Sequence, residues 1–421
     1  MTTATLAAPL DAGAPSGTGA SLKVRLRRAE AARRRRALLL VSPLLLYILV
    51  AFVLPIGLML FRAIYDPDIA TVAPRTVAAL ADWDGKAAPD EPAYAALADD
   101  LREAEKTQSV GVLGKRINYE LPGTRSIVVA TARQVRRMRQ GPYKAAIIGV
   151  DPMWGARDVW VILKRGTNPY TPFYLLSALD LRIDADGALT HVAASDAVFV
   201  PVLIRTLGMA GTVTLLTLLL GYPVALLLST LPPGIRNLLM IMVLLPFFTS
   251  LLVRTTAWVV LLQSHGVIND ALLALGVIQE RLQLIFRRTG TLAAMTHIQL
   301  PFTLLPIYSV MATIQPGLTR AARSLGATPF TAFRRIYVPL TLPGVGAGCL
   351  LTFILSLGYY ITPALVGGPN DQMVSSFVAQ YMNRELNWGM ASALGVELLA
   401  ITLVIYVIYT RVLGVDKMRF G

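Results

Sequence analysis

Apolar residues along this chain gather in blocks long enough to cross a bilayer. The first occupies residues 37–61, interrupted chiefly by Ser42 and by two prolines that such helices tolerate, Pro43 and Pro55. At about 1.5 Å per residue, a helix of that length spans the roughly 30 Å hydrocarbon layer. The block runs into Phe61-Arg62 without a small-residue cleavage site, which predicts a retained transmembrane helix rather than a removed leader. Five further blocks follow at about 203–229, 238–262, 291–314, 341–366 and 389–413. Short polar connectors such as Pro232-Pro233-Gly234 and Gly367-Gly368-Pro369-Asn370 separate them. The pattern predicts an all-α polytopic membrane protein of about six transmembrane helices.

Residues 62–200 break this pattern. They hold 17 basic and 17 acidic residues. The β-branched runs Ile127–Ala130 and Val159–Leu163 predict short strands, and Ala95–Glu105 predicts a helix. About 139 residues suffice for a small mixed α+β domain inserted after the first span. The organisation expected is a disordered basic tail (1–36), a first span (37–61), the inserted domain (62–200), a five-helix core (201–414) and a short tail (415–421).

Composition sharpens the class. Of 421 residues, 55% are hydrophobic and 15% charged, with a mean hydropathy of +0.58. A soluble chain carries about 25% charged residues, so a soluble enzyme and a disordered protein are both excluded. The net charge of +14 could suggest nucleic acid, but its location argues against that partner. Lys23, Arg25, Arg27, Arg28 and Arg33 to Arg36 immediately precede the first span, against a single Glu30 and with no interleaved aromatic residue. By the positive-inside rule this flank is cytoplasmic. The inserted domain then lies outside, segment 315–340 inside, and both termini are cytoplasmic. Arg281, Arg287 and Arg288 in the 263–290 loop run against this topology and are accepted as an exception. The one cysteine, Cys349, and three scattered histidines, His191, His265 and His297, offer no disulfide framework and no metal-ligand spacing. Cys349 among glycines reads as packing, and His297 as a satisfied helix–helix contact rather than a proton relay.

Segment 315–340 carries the functional argument. Ala321, Ala322, Ser324 and Leu325 favour a short helix that Gly326 can end. Thr328-Pro329 has the form of an N-cap followed by proline at the first helical position. Phe330, Phe333, Ile336 and Tyr337 fall on one stripe of a second helix, which Val338-Pro339 is expected to close. A cytoplasmic helix–turn–helix elbow with an aromatic knob suits docking into a groove on another protein.

This segment resembles the EAA loop of permease subunits of ATP-binding-cassette importers: Glu-Ala-Ala, three residues, Gly, nine residues, then Ile-x-Leu-Pro. Ala321, Ala322, Gly326, Ile336 and Pro339 fit that spacing, and Arg320 stands where the family has Glu. The resemblance extends over most of 203–413 and is similar to spermidine/putrescine permeases. It rests on Arg205-Thr206, Gly221-Tyr222-Pro223-Val224-Ala225, Leu245-Pro246-Phe247, Arg254-Thr255-Thr256-Ala257-Trp258 and Gly266-Val267-Ile268-Asn269. It continues through Gly358-Tyr359-Tyr360-Ile361-Thr362-Pro363, Gly367-Gly368-Pro369 and Asn387-Trp388-Gly389. It leaves out the inserted domain, whose role stays open.

The resemblance implies a type I importer permease fold in the inner membrane and no catalysis by this chain. It implies four kinds of partner: a dimer of ATPase subunits, a second permease subunit, an extracytoplasmic substrate-binding protein and a small solute, here a polyamine. Arg320, Ala321, Ala322, Gly326, Pro329, Phe330, Phe333 and Pro339 would couple to the ATPase. No cofactor is expected on this chain, and ATP would be used by the ATPase. Gly111–Arg116 lacks the spacing and the Ser/Thr of a phosphate loop.

Tyr359 and Tyr360 could line a polyamine path or simply pack, and Trp258 and Arg254 lie in the neighbouring span. Glu397 and Arg254 sit at similar depths, about 12 Å from the outer ends of their spans. They are expected to pair, or Glu397 could instead meet a substrate ammonium. The competing readings are an importer of another solute (ferric iron, thiamine, a phosphonate or an opine-like amine), a membrane-anchored sensor, and a secondary transporter. A sensor would need an output domain, and a secondary transporter more spans or an internal repeat.

Overall fold

The computed structural model of the chain describes residues 18–413. The chain divides between Leu58 and Met59 into two compact units. The first is helical. α1 (Thr18–Ile48) runs through a π turn (Leu49–Val53) into α2 (Leu54–Arg62). Helix from Thr18 corrects the expectation of a disordered tail over 1–36 for its described part. From Ser21 to Arg36 the sequence holds no Gly or Pro and is rich in Ala, Leu and Arg, all good helix formers. Residues 1–17, and the tail expected at 415–421, lie outside the described residues.

The second unit begins with the insertion, and here the expected strands are corrected. Its helices are α3 (Asp68–Val72), α4 (Pro74–Ala79), α5 (Glu91–Lys106), α6 (Val110–Glu120), α7 (Thr124–Arg137), α8 (Tyr143–Ile148), α9 (Arg157–Arg165) and α10 (Phe173–Ala178). Both β-branched runs lie in helices, α7 and α9. Val128, Thr131, Ala132 and Val135 are buried at helical spacing, as are Val159, Trp160, Ile162 and Leu163. Burial of a 3.6-residue stripe outweighs the local β preference. The only sheet among the described residues is an antiparallel hairpin of β1 (Leu181–Ile183) and β2 (Leu189–His191), with Arg182 opposite Thr190.

The insertion has its own core, in which large aromatic residues are buried with their polar ends satisfied. The Tyr94 hydroxyl and Trp160 Nε1 both donate to the Trp154 carbonyl, at 2.6 and 2.8 Å, and Trp154 Nε1 donates to Thr131 at 2.8 Å. Its carboxylates serve as internal ties. Asp100 accepts from the Thr76 amide and hydroxyl at the start of α4. Glu91 accepts from the Tyr143 and Lys144 amides at the start of α8. Buried Arg116 bonds Asp66 and Glu120. Burial alone would lower the Arg116 guanidinium pKa, but Glu120 and Asp66 hold it above its ordinary value. The Tyr174 hydroxyl donates to Asp66 at 3.1 Å, and burial, then the Asp66 charge, raise its pKa.

The remaining helices are α11 (Phe199–Thr230), α12 (Pro233–Leu244), α13 (Leu251–Leu262), α14 (Val267–Ala274), α15 (Arg288–Thr313), α16 (Pro316–Ser324), α17 (Pro329–Ala332), α18 (Val338–Leu357), α19 (Ile361–Val366), α20 (Val374–Asn383) and α21 (Trp388–Leu413). Among the described residues five helical stretches are long and apolar enough to cross a membrane: 33–62, 199–230, 251–274, 329–357 and 388–411. A sixth is added if α15 and α16, bent by 60°, count as one. Two of the expected blocks are broken. Block 238–262 divides between α12 and α13, because Pro246 lacks an amide donor and Leu245–Phe248 tightens into a 3₁₀ turn. Block 341–366 divides at Gly358-Tyr359-Tyr360, between α18 and α19.

α11, α15 and α18 form the centre of the bundle. Gly344 and Gly348 of α18 lie so close to α15 that a Cβ would stand 2.8 Å from the Pro306 carbonyl oxygen and 2.6 Å from that of Thr303. The Thr303 hydroxyl then lies 2.8 Å from that of Thr217 on α11 and 2.6 Å from that of Thr352 on α18. One fully buried three-hydroxyl chain therefore joins three helices. At the insertion's exit, Asp180 adopts positive φ (52°), and its carboxylate accepts from the amides of Val198, Phe199 and Val200 at the start of α11.

Replacing Gly348 by Val should destabilise the purified subunit by about 1–3 kcal/mol through overpacking. Gly208→Ala, where a Cβ meets nothing within 4 Å, should leave its thermal midpoint unchanged or raised. Equal midpoints for the two variants would contradict the close-approach account.

Candidate functional site

The elbow forms largely as its residues dictate. α16 ends at Gly326, whose φ of +89° is a left-handed conformation that side chains with a Cβ disfavour. The Thr328 hydroxyl then accepts from the Thr331 amide at 3.2 Å, and Pro329 takes the first helical position. One expectation is corrected. Val338-Pro339 does not close the second helix. A π turn over Phe333–Tyr337 carries it straight into α18, with the Val338 amide bonding the Phe333 carbonyl. A proline interior to an α-helix clashes with the carbonyl four residues back. The wider π turn just before it relieves that conflict. The same device precedes Pro55, where the Leu54 amide bonds the Leu49 carbonyl.

The residues singled out on the elbow divide by exposure. Arg320, Ala321, Pro329 and Pro339 are exposed, whereas Ala322 is buried beneath them. Phe330 is 69% exposed, while Phe333 turns inward and stacks on Tyr337 at 5.7 Å. The expected single aromatic stripe is thus two features, an exposed knob and a half-buried stacked pair. Leu325, expected only to favour the short helix, is 89% exposed beside Gly326. A leucine next to a helix-ending glycine in a basic loop was the available signal. Between the elbow and the end of α11 lies a groove of about 620 Å³, lined by Leu226, Leu227, Thr319, Arg323, Phe333 and Tyr337 among others. The Tyr222 hydroxyl lies 3.2 Å from that of Thr341, and the Tyr337 hydroxyl 3.4 Å from that of Ser229. These contacts tie α11 to the base of the elbow.

The second group of residues does not assemble as expected. No Arg254–Glu397 ion pair forms. Arg254 Nε on α13 and both Glu397 carboxylate oxygens on α21 are buried with no hydrogen-bond partner. Each belongs to a different neighbourhood. Thr255, beside Arg254, lies 3.3 Å from Thr362 of α19. Gly395, two residues before Glu397, packs on Met59. Trp258 Nε1 donates to His297 Nδ1 at 3.2 Å, so His297 joins α13 to α15. Tyr359 is half-buried with its hydroxyl unpartnered, and Tyr360 is 42% exposed.

Several stretches that carried the resemblance prove to be scaffolding. Asn269 is fully buried, accepting from the Leu282 amide and donating to the carbonyls of Gln263 and Leu282. Asn387 caps α21 through the Met390 amide at 3.0 Å. A Cβ on Gly368 would stand 2.6 Å from the Phe286 carbonyl oxygen.

Comparison with known proteins identifies the family of the chain. The family model for the binding-protein-dependent transport system inner membrane component matches residues 214–414. The spermidine/putrescine permease protein PotB of Salmonella typhimurium strain SL1344 is 35% identical over 217 residues, covering 51% of this chain and 75% of that protein. PotB of Escherichia coli K12 is 34% identical, covering 51% and 78%. The inner membrane ABC transporter permease YdcU of the same strain is 30% identical over 261 residues, covering 58% and 81%. A chain of a bacterial alginate ABC transporter, solved with a periplasmic protein carrying an alginate pentasaccharide, aligns at a TM-score of 0.44 and 20% identity. That alignment covers 53% of this chain and 80% of that one.

The chain belongs to the family of inner-membrane permease components of binding-protein-dependent ATP-binding-cassette transporters. It is a multi-pass inner-membrane subunit without catalysis of its own, and ATP is hydrolysed by a partner ATPase. Within that family it bears a distant similarity to the PotB spermidine/putrescine permeases.

Gly326→Val would force a β-branched residue into left-handed backbone at a cost of about 1–2 kcal/mol. Amide hydrogen exchange across 316–332 should accelerate while the Thr303 region stays protected. Unchanged exchange in the elbow would refute the role given to this glycine.

Proposed function

We propose that the importer served by this permease carries polyamines, putrescine or spermidine, and that its 315–340 elbow is the coupling element. The observation that carries the substrate reading is the 34–35% identity to PotB over 217 residues. The coupling reading rests on the exposed Leu325 and Phe330 flanking the Gly326 turn, with Ala322 buried beneath and the stacked pair Phe333–Tyr337 behind. On this reading Arg320, Ala321, Ala322, Gly326, Pro329, Phe330, Phe333 and Pro339 present the elbow to the ATPase, and Arg320 offers it a cation. On this reading the chain has six spans and both termini cytoplasmic, so that the insertion lies outside, where a substrate-binding protein delivers solute. A second permease subunit completes the path. Two arginines in the loop that runs against the positive-inside rule are in ion pairs, Arg281 with Asp270 at 2.8 Å and Arg288 with Asp371 at 3.1 Å.

Glu397, uncompensated in the bundle, is the group best suited to receive a substrate ammonium, with Tyr359, Tyr360 and Trp258 as aromatic faces along the path. A second reading, a solute that also carries an anionic group, is favoured by Arg254, a guanidinium with no carboxylate partner among the described residues. An opine-like amine or a phosphonate would satisfy it.

Uptake of labelled putrescine and spermidine should vanish on deleting the gene and return on restoring it. Unchanged uptake, with redundant importers excluded, would eliminate the polyamine assignment. Glu397→Gln should weaken uptake by about tenfold or more while leaving the assembled complex intact. The double change Leu325→Ala and Phe330→Ala should instead release the ATPase during purification. An undiminished complex would remove these residues from the coupling surface.

A further inference from the structure

The insertion distributes its charges unevenly. From residue 121 to 150 the sequence contains Arg125, Arg133, Arg136, Arg137, Arg139 and Lys144, and no Asp or Glu. Helix α7 sorts these residues by face. Thr124, Val128, Thr131, Ala132 and Val135 form its buried stripe. Arg125, Arg133, Arg136 and Arg137 are exposed away from it, and exposed Arg139 follows the helix end. One of these arginines, Arg136, is paired, with Glu105 at 3.0 Å. Arg125, Arg133, Arg137 and Arg139 form no ion pair among the described residues.

The domain as a whole is neutral, with 17 charges of each sign, so the uncompensated cations have counterparts elsewhere. Five of these carboxylates are committed inside the fold. Asp100, Glu91 and Asp180 cap helices, and Asp66 and Glu120 hold Arg116. Folding therefore uses carboxylates internally and leaves unmatched guanidinium groups on one rigid helix.

We propose that the solvent face of α7 docks an acidic surface of the solute-loaded binding protein. The inference rests on the importer reading and on the insertion lying outside. Charge complementarity selects an anionic partner, and arginine is the cation best suited to interfaces because its planar fork pairs two carboxylate oxygens at once. A protein rather than a bilayer is indicated by the rest of the face. Between the arginines lie Ser126, Ala130 and Gln134, all exposed, and no large apolar side chain is exposed there to enter a lipid interface. A helix that lies on a membrane puts its apolar face into the lipid, and that face of α7 is spent on the domain core.

The dock is mechanically connected to the bundle. Lys115 on α6, the helix packed against α7, donates to the Glu385 carbonyl just before α21. Tyr174 of α10 packs against Gly389 in the first turn of α21, where a Cβ would stand 2.3 Å from its ring.

The test uses the complete importer in lipid nanodiscs and its own substrate-loaded binding protein as probe. The triple variant R133E/R137E/R139E should bind that protein at least about tenfold more weakly, with basal ATPase activity and thermal midpoint unchanged. Wild-type affinity should fall with rising salt, and the variant's should not. The R133K/R137K/R139K variant should retain most of the affinity, which separates lost charge from a damaged helix. Capture by the glutamate variant at wild-type affinity would overturn the proposal. So would normal capture accompanied by loss of co-purifying phosphatidylglycerol, which would make the face a lipid contact. If the wild-type importer captures no binding protein at all, the importer reading itself fails, and this proposal falls with it.

Discussion

The bundle depends on how closely α18 can approach α15. Lipid offers no hydrophobic reward for bringing two apolar helices together, so association rests on packing and on hydrogen bonds between helices. Gly344 and Gly348 supply the first by bringing backbone against backbone. Thr217, Thr303 and Thr352 supply the second, at the same level and in the same seam. Because α18 continues into the elbow and α11 borders its groove, this contact also fixes where the elbow stands. A bulky residue at Gly348 would displace the elbow as well as loosen the core.

The two halves of the second unit solve different solvation problems. The insertion buries aromatic residues and satisfies every polar tip of the Tyr94–Trp154–Trp160 cluster. The bundle leaves a carboxylate, Glu397, and two guanidinium nitrogens, Nε of Arg205 and of Arg254, without partners among the described residues. An unpartnered charged group at membrane depth is expensive. Asp180 stands at the junction, closing the insertion and capping α11 with one carboxylate.

Legibility in the sequence followed the range of the interaction concerned. The apolar blocks reflect composition alone. The elbow's turn reflects neighbours within a few residues, so Gly326, Thr328 and Pro329 were readable one by one. The strands expected at Ile127–Ala130 and Val159–Leu163 failed because a short β-branched run carries no periodicity of its own. The stripe that settles α7 extends to Val135, beyond the run. The Arg254–Glu397 pair failed for a different reason. Equal depth says nothing about which helices are neighbours, and α13 meets α19 and α15 instead. The broken third block was readable in principle from Pro246, which a count of apolar residues overlooks.

The π turn before Pro339 makes the elbow and its membrane helix one rod. From Pro329 to Leu357 the helix runs 29 residues without a break, a length of about 43 Å. A loop at that junction would absorb displacement like a slack cable. A stiff arm behaves as a crank: tilting it by about 5° at the knob moves its far end by about 4 Å over that length. The wider turn that accommodates one proline thus determines whether a displacement at Phe330 reaches the far end of α18 or is absorbed at the junction.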